Sequence, residues 1–288
     1  MALLEQMLAM PTQGIALAWQ GFVRYRQSVQ QSVPQVDAPK AVPMVLLHGI
    51  GSGSGSWVHQ LQAASTPCFA WDAPGYADTS ALKTREPVAA DYARVLWAWL
   101  DALKIDRVHL VGHSLGCIMA ASAARLQPAR IERLSLLSPA QGYGTAPEAV
   151  RLKKRDERLQ AMAQLGLQKM AQLRAPRLLS PQASAEHVEF ATHMMSRLNE
   201  DGYTQATQML STANISADLQ AFAPSSSASI RIACGEHDII TPPQAAQALA
   251  QAIGVAYTSI PDAGHLCALE APAAVNAFLN ITPTPDHG

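Results

Sequence analysis

The residues best placed to do chemistry are a serine, an acid and a histidine, each standing just past an apolar run. Ser114 sits in Gly112-His113-Ser114-Leu115-Gly116, directly after Val108-His109-Leu110-Val111 and directly before the helix-like Cys117-Ile118-Met119-Ala120-Ala121. A serine with glycines at minus two and plus two, between a strand and a helix, is the sequence form of a nucleophile turn. The glycines have a steric reason: such a turn is tight, and side chains there would strike the neighbouring strand and helix. A hydroxyl is a weak nucleophile. It needs a base, a group to orient that base, and donors for the negative charge that develops on the substrate. The strand-like run 229–234 ends in Gly235-Glu236-His237-Asp238, which offers two acids, Glu236 and Asp238. The run 257–260 leads through Pro261-Asp262-Ala263 to Gly264-His265, so His265 is the candidate base and Asp262 reads as a turn residue. Upstream, Met44-Val45-Leu46-Leu47 runs into His48-Gly49-Ile50-Gly51, where a backbone N–H can turn toward an oxyanion and His48 can support the loop by a hydrogen bond.

Other chemistries fit these residues less well. The glycine-rich stretch 49–55 follows a strand but has neither the lysine of a phosphate-binding loop nor a strict G-x-G-x-x-G with an acid downstream. His48, His59, His113 and His237 form no H-x-x-x-H pair and have no acidic cluster beside them, so no metal site is expected. Cys117 is close to Ser114 but has no base of its own and reads as core. The four cysteines, Cys68, Cys117, Cys234 and Cys267, are widely spaced without a C-x-x-C pair, the pattern of reduced thiols in a cytoplasmic protein.

The elements that must position these residues follow from alternation. Apolar runs at about 44–47, 67–71, 107–111, 133–137, 229–234 and 255–260 are separated by segments of helical period, which predicts a mainly parallel sheet with helices on both faces. Within 88–103, Tyr92, Val95, Leu96, Trp99, Leu100 and Leu103 recur at three- and four-residue steps, a core-facing helix stripe. Arg24-Tyr25-Arg26 and the polar stretch 27–35 suggest a lead-in strand and a loop. Between about 142 and 222 no strand pattern occurs, and helical segments rich in Ala, Leu, Met and Gln are broken at Gly166 and Pro176. This predicts a core domain from 1–141 and 223–288 with an all-helical lid at 142–222. Met162, Met170, Met194, Met195 and Met209 suit an adaptable apolar surface over a substrate pocket.

With 288 residues, 49% apolar and 15% charged, the chain can bury a large core as a soluble globular protein. A net charge of -1 with dispersed basic residues recommends neither nucleic acid nor an acidic membrane surface as partner. The densest basic stretch, Arg151 to Arg158, is interrupted by Asp156 and Glu157 and reads as a solvated helix face. The first 25 residues are interrupted by Glu5, Gln6 and Pro11, which supports neither a signal peptide nor a membrane span.

From about Val42 to about Leu279 the chain resembles the α/β-hydrolase fold enzymes. The resemblance rests on the serine, acid and histidine segments and the 48–51 loop in that family's order. Trp71-Asp72-Ala73-Pro74-Gly75 resembles the turn after its fourth strand, and Leu137-Ser138-Pro139-Ala140 the exit from its sixth, where a lid is inserted. It implies an antiparallel edge on the sheet, Ser114 as nucleophile, Asp238 rather than Glu236 as acid, His265 as base, and the backbone N–H groups of Ile50 and Leu115 as the oxyanion hole. A serine nucleophile sets the chain apart from the dehalogenase and epoxide hydrolase branches, which need a carboxylate there. Asn199-Glu200-Asp201-Gly202-Tyr203 and Ala263-Gly264-His265-Leu266 resemble the esterase and enol-lactonase side. The glycine-rich oxyanion loop resembles that of the carbon-carbon hydrolases of ring-fission products, although these usually have Asn where this chain has His113. The expectation is hydrolysis of a small carboxylic ester or lactone without a cofactor. Carbon-carbon hydrolysis, peracid formation by the same triad, and a non-catalytic ligand receptor are the alternatives. His113, Trp57 and the lid residue Arg197, a candidate grip on a substrate carboxylate, are the expected substrate contacts. The expected partner is a small molecule, with a homodimer left open.

Overall fold

A computed structural model describes residues 2–28, 42–223 and 226–281; part of the polar stretch 27–35 and the end of the chain lie outside them. Eight strands, β1 (Gln13–Leu17), β2 (Gly21–Gln27), β3 (Met44–Leu47), β4 (Cys68–Trp71), β5 (Val108–His113), β6 (Ile131–Leu137), β7 (Ser229–Gly235) and β8 (Ala256–Ile260), form one sheet. Its order is β1-β2-β4-β3-β5-β6-β7-β8. The pairs β1/β2 and β2/β4 are antiparallel and the others parallel.

Side-chain alternation explains why the sheet is covered on both faces. In β3, Val45 and Leu47 enter one core cluster while Met44 and Leu46 enter another. On the first face lie α3 (Ala89–Ala102) and α4 (Leu115–Leu126), with Trp99 stacked on Trp71 at 6.1 Å and Trp97 Nε1 donating to the Ala123 carbonyl at 3.1 Å. On the second lie α2 (Val58–Ala63), α10 (Cys267–Glu270) and α11 (Pro272–Leu279). The helix α9 (Pro243–Ile253) links β7 to β8.

Between β6 and β7 run α5 (Glu148–Arg174), α6 (Ala185–Ser196), α7 (Glu200–Thr212) and α8 (Ile215–Phe222). Gly166 breaks α5 with φ 69 and ψ 162, a conformation closed to side-chain-bearing residues. The last helix, α8, packs on α4 and α9 and carries Leu219 and Phe222 into the main core. A further helix, α1 (Leu3–Ala9), was not anticipated. Seven residues are too few for a helix stable alone; Leu3 and Met7 pack with Phe190, Ala191 and Val58, and Glu186 Oε1 accepts the Leu3 N–H. Among the described residues no helix is long and apolar enough to cross a membrane.

Candidate active site

Three strand ends converge at the carboxyl edge of the sheet, where open α/β folds place their ligand crevices. β5 delivers Ser114, β7 delivers Asp238 and β8 delivers His265. Ser114 is the residue between β5 and α4, with φ 53 and ψ -115, outside the regions that non-glycine residues ordinarily occupy. The flanking glycines are required by contact: a Cβ on Gly116 would lie 2.2 Å from the Leu47 carbonyl oxygen, and one on Gly112 2.6 Å from the Cys117 Cα. Leu115 is the first residue of α4, so its N–H belongs to the helix-end donors without an intrahelical partner.

Asp238 and His265 are both buried, and His265 Nδ1–H donates to Asp238 Oδ2 at 2.8 Å. The carboxylate is densely satisfied. Oδ1 accepts the N–H groups of Ile240 and Thr241 at 2.8 and 2.9 Å, and Oδ2 also accepts from the Thr241 hydroxyl at 2.8 Å. Burial opposes its charge, but the hydrogen bond and charge of His265 and the Thr241 donors outweigh burial and hold the carboxyl well below the usual range. Asp238 is therefore the ionised acceptor that fixes the proton on Nδ1 and leaves Nε2 as the basic nitrogen. Glu236, the competing acid, is exposed and takes no part. Asp262 sits at φ 55, a turn residue.

The loop after β3 is held rigidly. His48 Nε2 accepts the Ala73 N–H at 3.0 Å, so its proton is on Nδ1, which donates to the Gly49 carbonyl at 2.8 Å. Asp72 accepts from Ser54 N–H and Oγ–H at 2.7 and 2.9 Å, and Arg26 donates to the same Ser54 oxygen. The Tyr76 hydroxyl donates to the Ile50 carbonyl at 3.0 Å.

A cavity of about 700 Å³ opens on this constellation. Ser114, His265, Ile50, Leu115, His113 and Trp57 line its core side. His113 does more than line it: Nε2–H donates to the His265 carbonyl at 2.7 Å and ties the strand that carries Ser114 to the loop that carries His265. Burial, then the neighbouring His265, pushes its pKa down to about 3, so it is neutral. Trp57 is 1% exposed and meets the His113 ring edge to face at 6.3 Å. Arg197 is a correction. It follows the last turn of α6, is exposed, and does not line the cavity. The cations that do are Lys154, Arg158, Arg174 and Arg177.

Cys117 donates from Sγ toward the Gly112 and Leu137 carbonyls at 3.1 and 3.3 Å, and burial pushes its thiol far up, which makes it inert. No group of His, Cys, Asp and Glu among the described residues is arranged to hold a metal ion. Three contributors escaped the sequence reading. Thr241 had a local signal, because an Asp three residues before a Thr commonly closes an Asx turn. Glu270, which accepts the N–H groups of Ser180 and Gly264 at 2.8 and 2.9 Å, and Arg174 act over long range and had none.

Comparison with known proteins bears on the fold that carries this site. Over 111 residues the chain is 34% identical to the 1-acylglycerol-3-phosphate O-acyltransferase ABHD5 of Rattus norvegicus, covering 37% of this chain and 31% of that one. Over 109 residues it is 33% identical to a 2-hydroxy-6-oxo-6-phenylhexa-2,4-dienoate hydrolase of Burkholderia cepacia, covering 36% and 38%. The match thus spans about a third of each curated relative's length. Among solved structures, a malate-bound thermophilic esterase from Thermogutta terrifontis superposes with TM-score 0.78 at 21% identity, over 94% of this chain and 97% of that one. The enol-lactonase from Burkholderia xenovorans LB400 gives 0.78 at 20%, over 93% and 98%. The family model described as the alpha/beta hydrolase fold matches residues 42–272, and the chain belongs to that family.

Proposed function

We propose that this protein is a serine hydrolase of small carboxylic esters or lactones. The observation that carries the reading is the Asp238–His265 pair, closed at 2.8 Å, opening on the same cavity as the strained Ser114. His265 Nε2 takes the Ser114 proton as Oγ attacks the substrate carbonyl, and Asp238 stabilises the imidazolium without itself taking the proton. The N–H groups of Ile50 and Leu115 receive the oxyanion. Loss of one such donor costs about 3 kcal/mol in a known protease. His265 then protonates the leaving group, and water attacks the acyl-enzyme with His265 again as base. Helices α5–α7 act as the lid that roofs this cavity. The carbon-carbon hydrolysis reading draws its support from the Burkholderia cepacia relative, whose printed name is that of a dienoate hydrolase.

The test is steady-state turnover of a 4-nitrophenyl ester panel and one vinylogous diketone by the intact chain and by Ser114→Ala. Ester turnover lost in the variant is the expected result. Turnover unchanged in Ser114→Ala refutes the nucleophile assignment, and preference for the diketone moves the reaction to the carbon-carbon class.

A further inference from the structure

Building on that hydrolase reading, we propose that the cavity contains a carboxylate-binding subsite centred on Arg174, so that the preferred acyl chain carries an anionic end. The chain as a whole has a net charge of -1, yet four cationic side chains and one carboxylate line this cavity. Lys154 and the carboxylate, Glu157, neutralise each other at 3.4 Å. Arg158, Arg174 and Arg177 remain, and none of them forms an ion pair among the described residues.

Arg174 is the best organised of the three. It is half-buried at the end of α5, and its Nη1 donates to the hydroxyl of Tyr203 at 2.8 Å. Tyr203 is 2% exposed and lines the same cavity. A neutral hydroxyl orients a guanidinium without neutralising it. With Nη1 engaged, the Nε–Nη2 edge stays available, and that edge matches the two oxygens of a planar carboxylate. The rest of the insertion's lining includes Met170, Met194, Met195 and Leu210, which suit an aliphatic chain between the ester and the anion. Arg158 is also half-buried and Arg177 is exposed, so the cationic lining surrounds Arg174 without any carboxylate paired to it among the described residues. Arg197, exposed and outside the cavity, has no such setting and serves as the control.

The experiment compares two 4-nitrophenyl esters of equal length, that of adipic acid monoanion and that of its neutral monoamide. The expected kcat/KM ratio favours the anion by roughly 10- to 100-fold, the range for a charge-assisted hydrogen bond. In Arg174→Met the ratio falls toward one, Arg174→Lys restores part of it, and Arg197→Met keeps the wild-type ratio. Equal kcat/KM for the two esters in the wild-type protein overturns the subsite while leaving the hydrolase reading in place. If neither ester turns over, calorimetry with adipate and adipamide decides. Adipate binding that disappears in Arg174→Met upholds the subsite and removes the hydrolase reading, whereas no adipate binding overturns the subsite.

Discussion

Acidification to pH 5 should cost this fold about 4 kcal/mol through two buried histidines. His113 and His109 are each 5% exposed and each neutral in the native state. Burial, with His265 beside it, pushes His113 down to about 3. Burial, with Arg133 and Arg231 nearby, pushes His109 down to about 4, and its Nε2 stands 2.8 Å from Ser135 Oγ. In the unfolded chain both titrate near 6.5. The folded pKa lies below the unfolded one, so the unfolded state binds more protons as pH falls. The stability is intact above about pH 6.5, declines by about 1.4 kcal/mol per pH unit for each histidine, and levels off only near the folded pKa values. At pH 5 that amounts to about 2 kcal/mol per residue, a large share of the ~5–15 kcal/mol typical of a folded chain. Urea denaturation at pH 7.5, 6.0 and 5.0 reads it directly. His109→Gln, which keeps a polar partner for Ser135 without a group titrating in this range, should show a shallower decline than the wild type. Stability that stays within about 1 kcal/mol between pH 7.5 and pH 5.0 would refute the buried-neutral assignment of both residues.

Three substitutions test the site itself. Asp238→Asn removes the charge that fixes the His265 tautomer, and kcat for a 4-nitrophenyl ester should drop roughly 10⁴-fold, as in a serine protease triad. Thr241→Val deletes the hydroxyl shared by Asp238 Oδ2, the Ser138 carbonyl and His265 Nδ1, at 2.8, 3.0 and 3.2 Å. Its kcat should fall about tenfold with little change in KM, the loss of roughly one net hydrogen bond, and Thr241→Ser should restore it. Gly116→Ala pushes a Cβ to 2.2 Å from the Leu47 carbonyl oxygen and 2.9 Å from that of His48, so the loop after β3 must shift. Parallel melts and kinetics should show a Tm loss of several degrees and at least a 100-fold lower kcat.

Period and punctuation made much of this architecture legible. β5 is buried at every position, and its apolar residues Val108, Leu110 and Val111, with only His109 between them, read as a strand covered on both faces. The nucleophile turn was readable because its steric demands are local: Gly112 and Gly116 answer contacts within a few residues or with the adjacent strand. The choice between Glu236 and Asp238 has both a local and a distant component. It depends on how the turn after β7 aims at β8, and the Ile240 and Thr241 N–H groups make that decision by capturing Asp238 Oδ1. α1 and the first strand were missed for a related reason. Neither has a strong period, and α1 exists because Phe190 and Ala191, far along the chain, offer a surface to Leu3 and Met7. Arg197 is attractive in sequence because it falls in the helical insertion, but it stands just past the end of α6, exposed and outside the cavity.

The segment Asn199 to Tyr203 gains a physical meaning that its resemblance to esterases does not supply. Asn199 caps α7 by accepting the Gly202 N–H at 3.1 Å. Gly202 lets that helix approach the turn after β4 so closely that a Cβ there would lie 1.9 Å from the Gly75 carbonyl oxygen. One turn on, Gln205 accepts the Leu82 N–H at 3.1 Å and donates to the Leu82 and Thr84 carbonyls at 2.7 and 2.9 Å. Tyr203 is thereby anchored to the core, and Arg174 is anchored to Tyr203. A second fastening joins the insertion to the base loop, through Glu270 between Ser180 and Gly264 and through the Leu266 N–H on the Leu178 carbonyl at 3.0 Å. The Arg174 guanidinium and the His265 imidazole are thus referenced to the same sheet through short chains of part-buried contacts. Positioning of this kind lets remote binding energy act on the reacting carbonyl. Within the insertion, α7 and the 178–180 segment make the fastenings to the core, while α5, broken at Gly166, carries Lys154, Glu157, Arg158 and Arg174 to the cavity wall, so in the proposed reading a change in α5 alters acyl-chain preference and a change in α7 alters positioning.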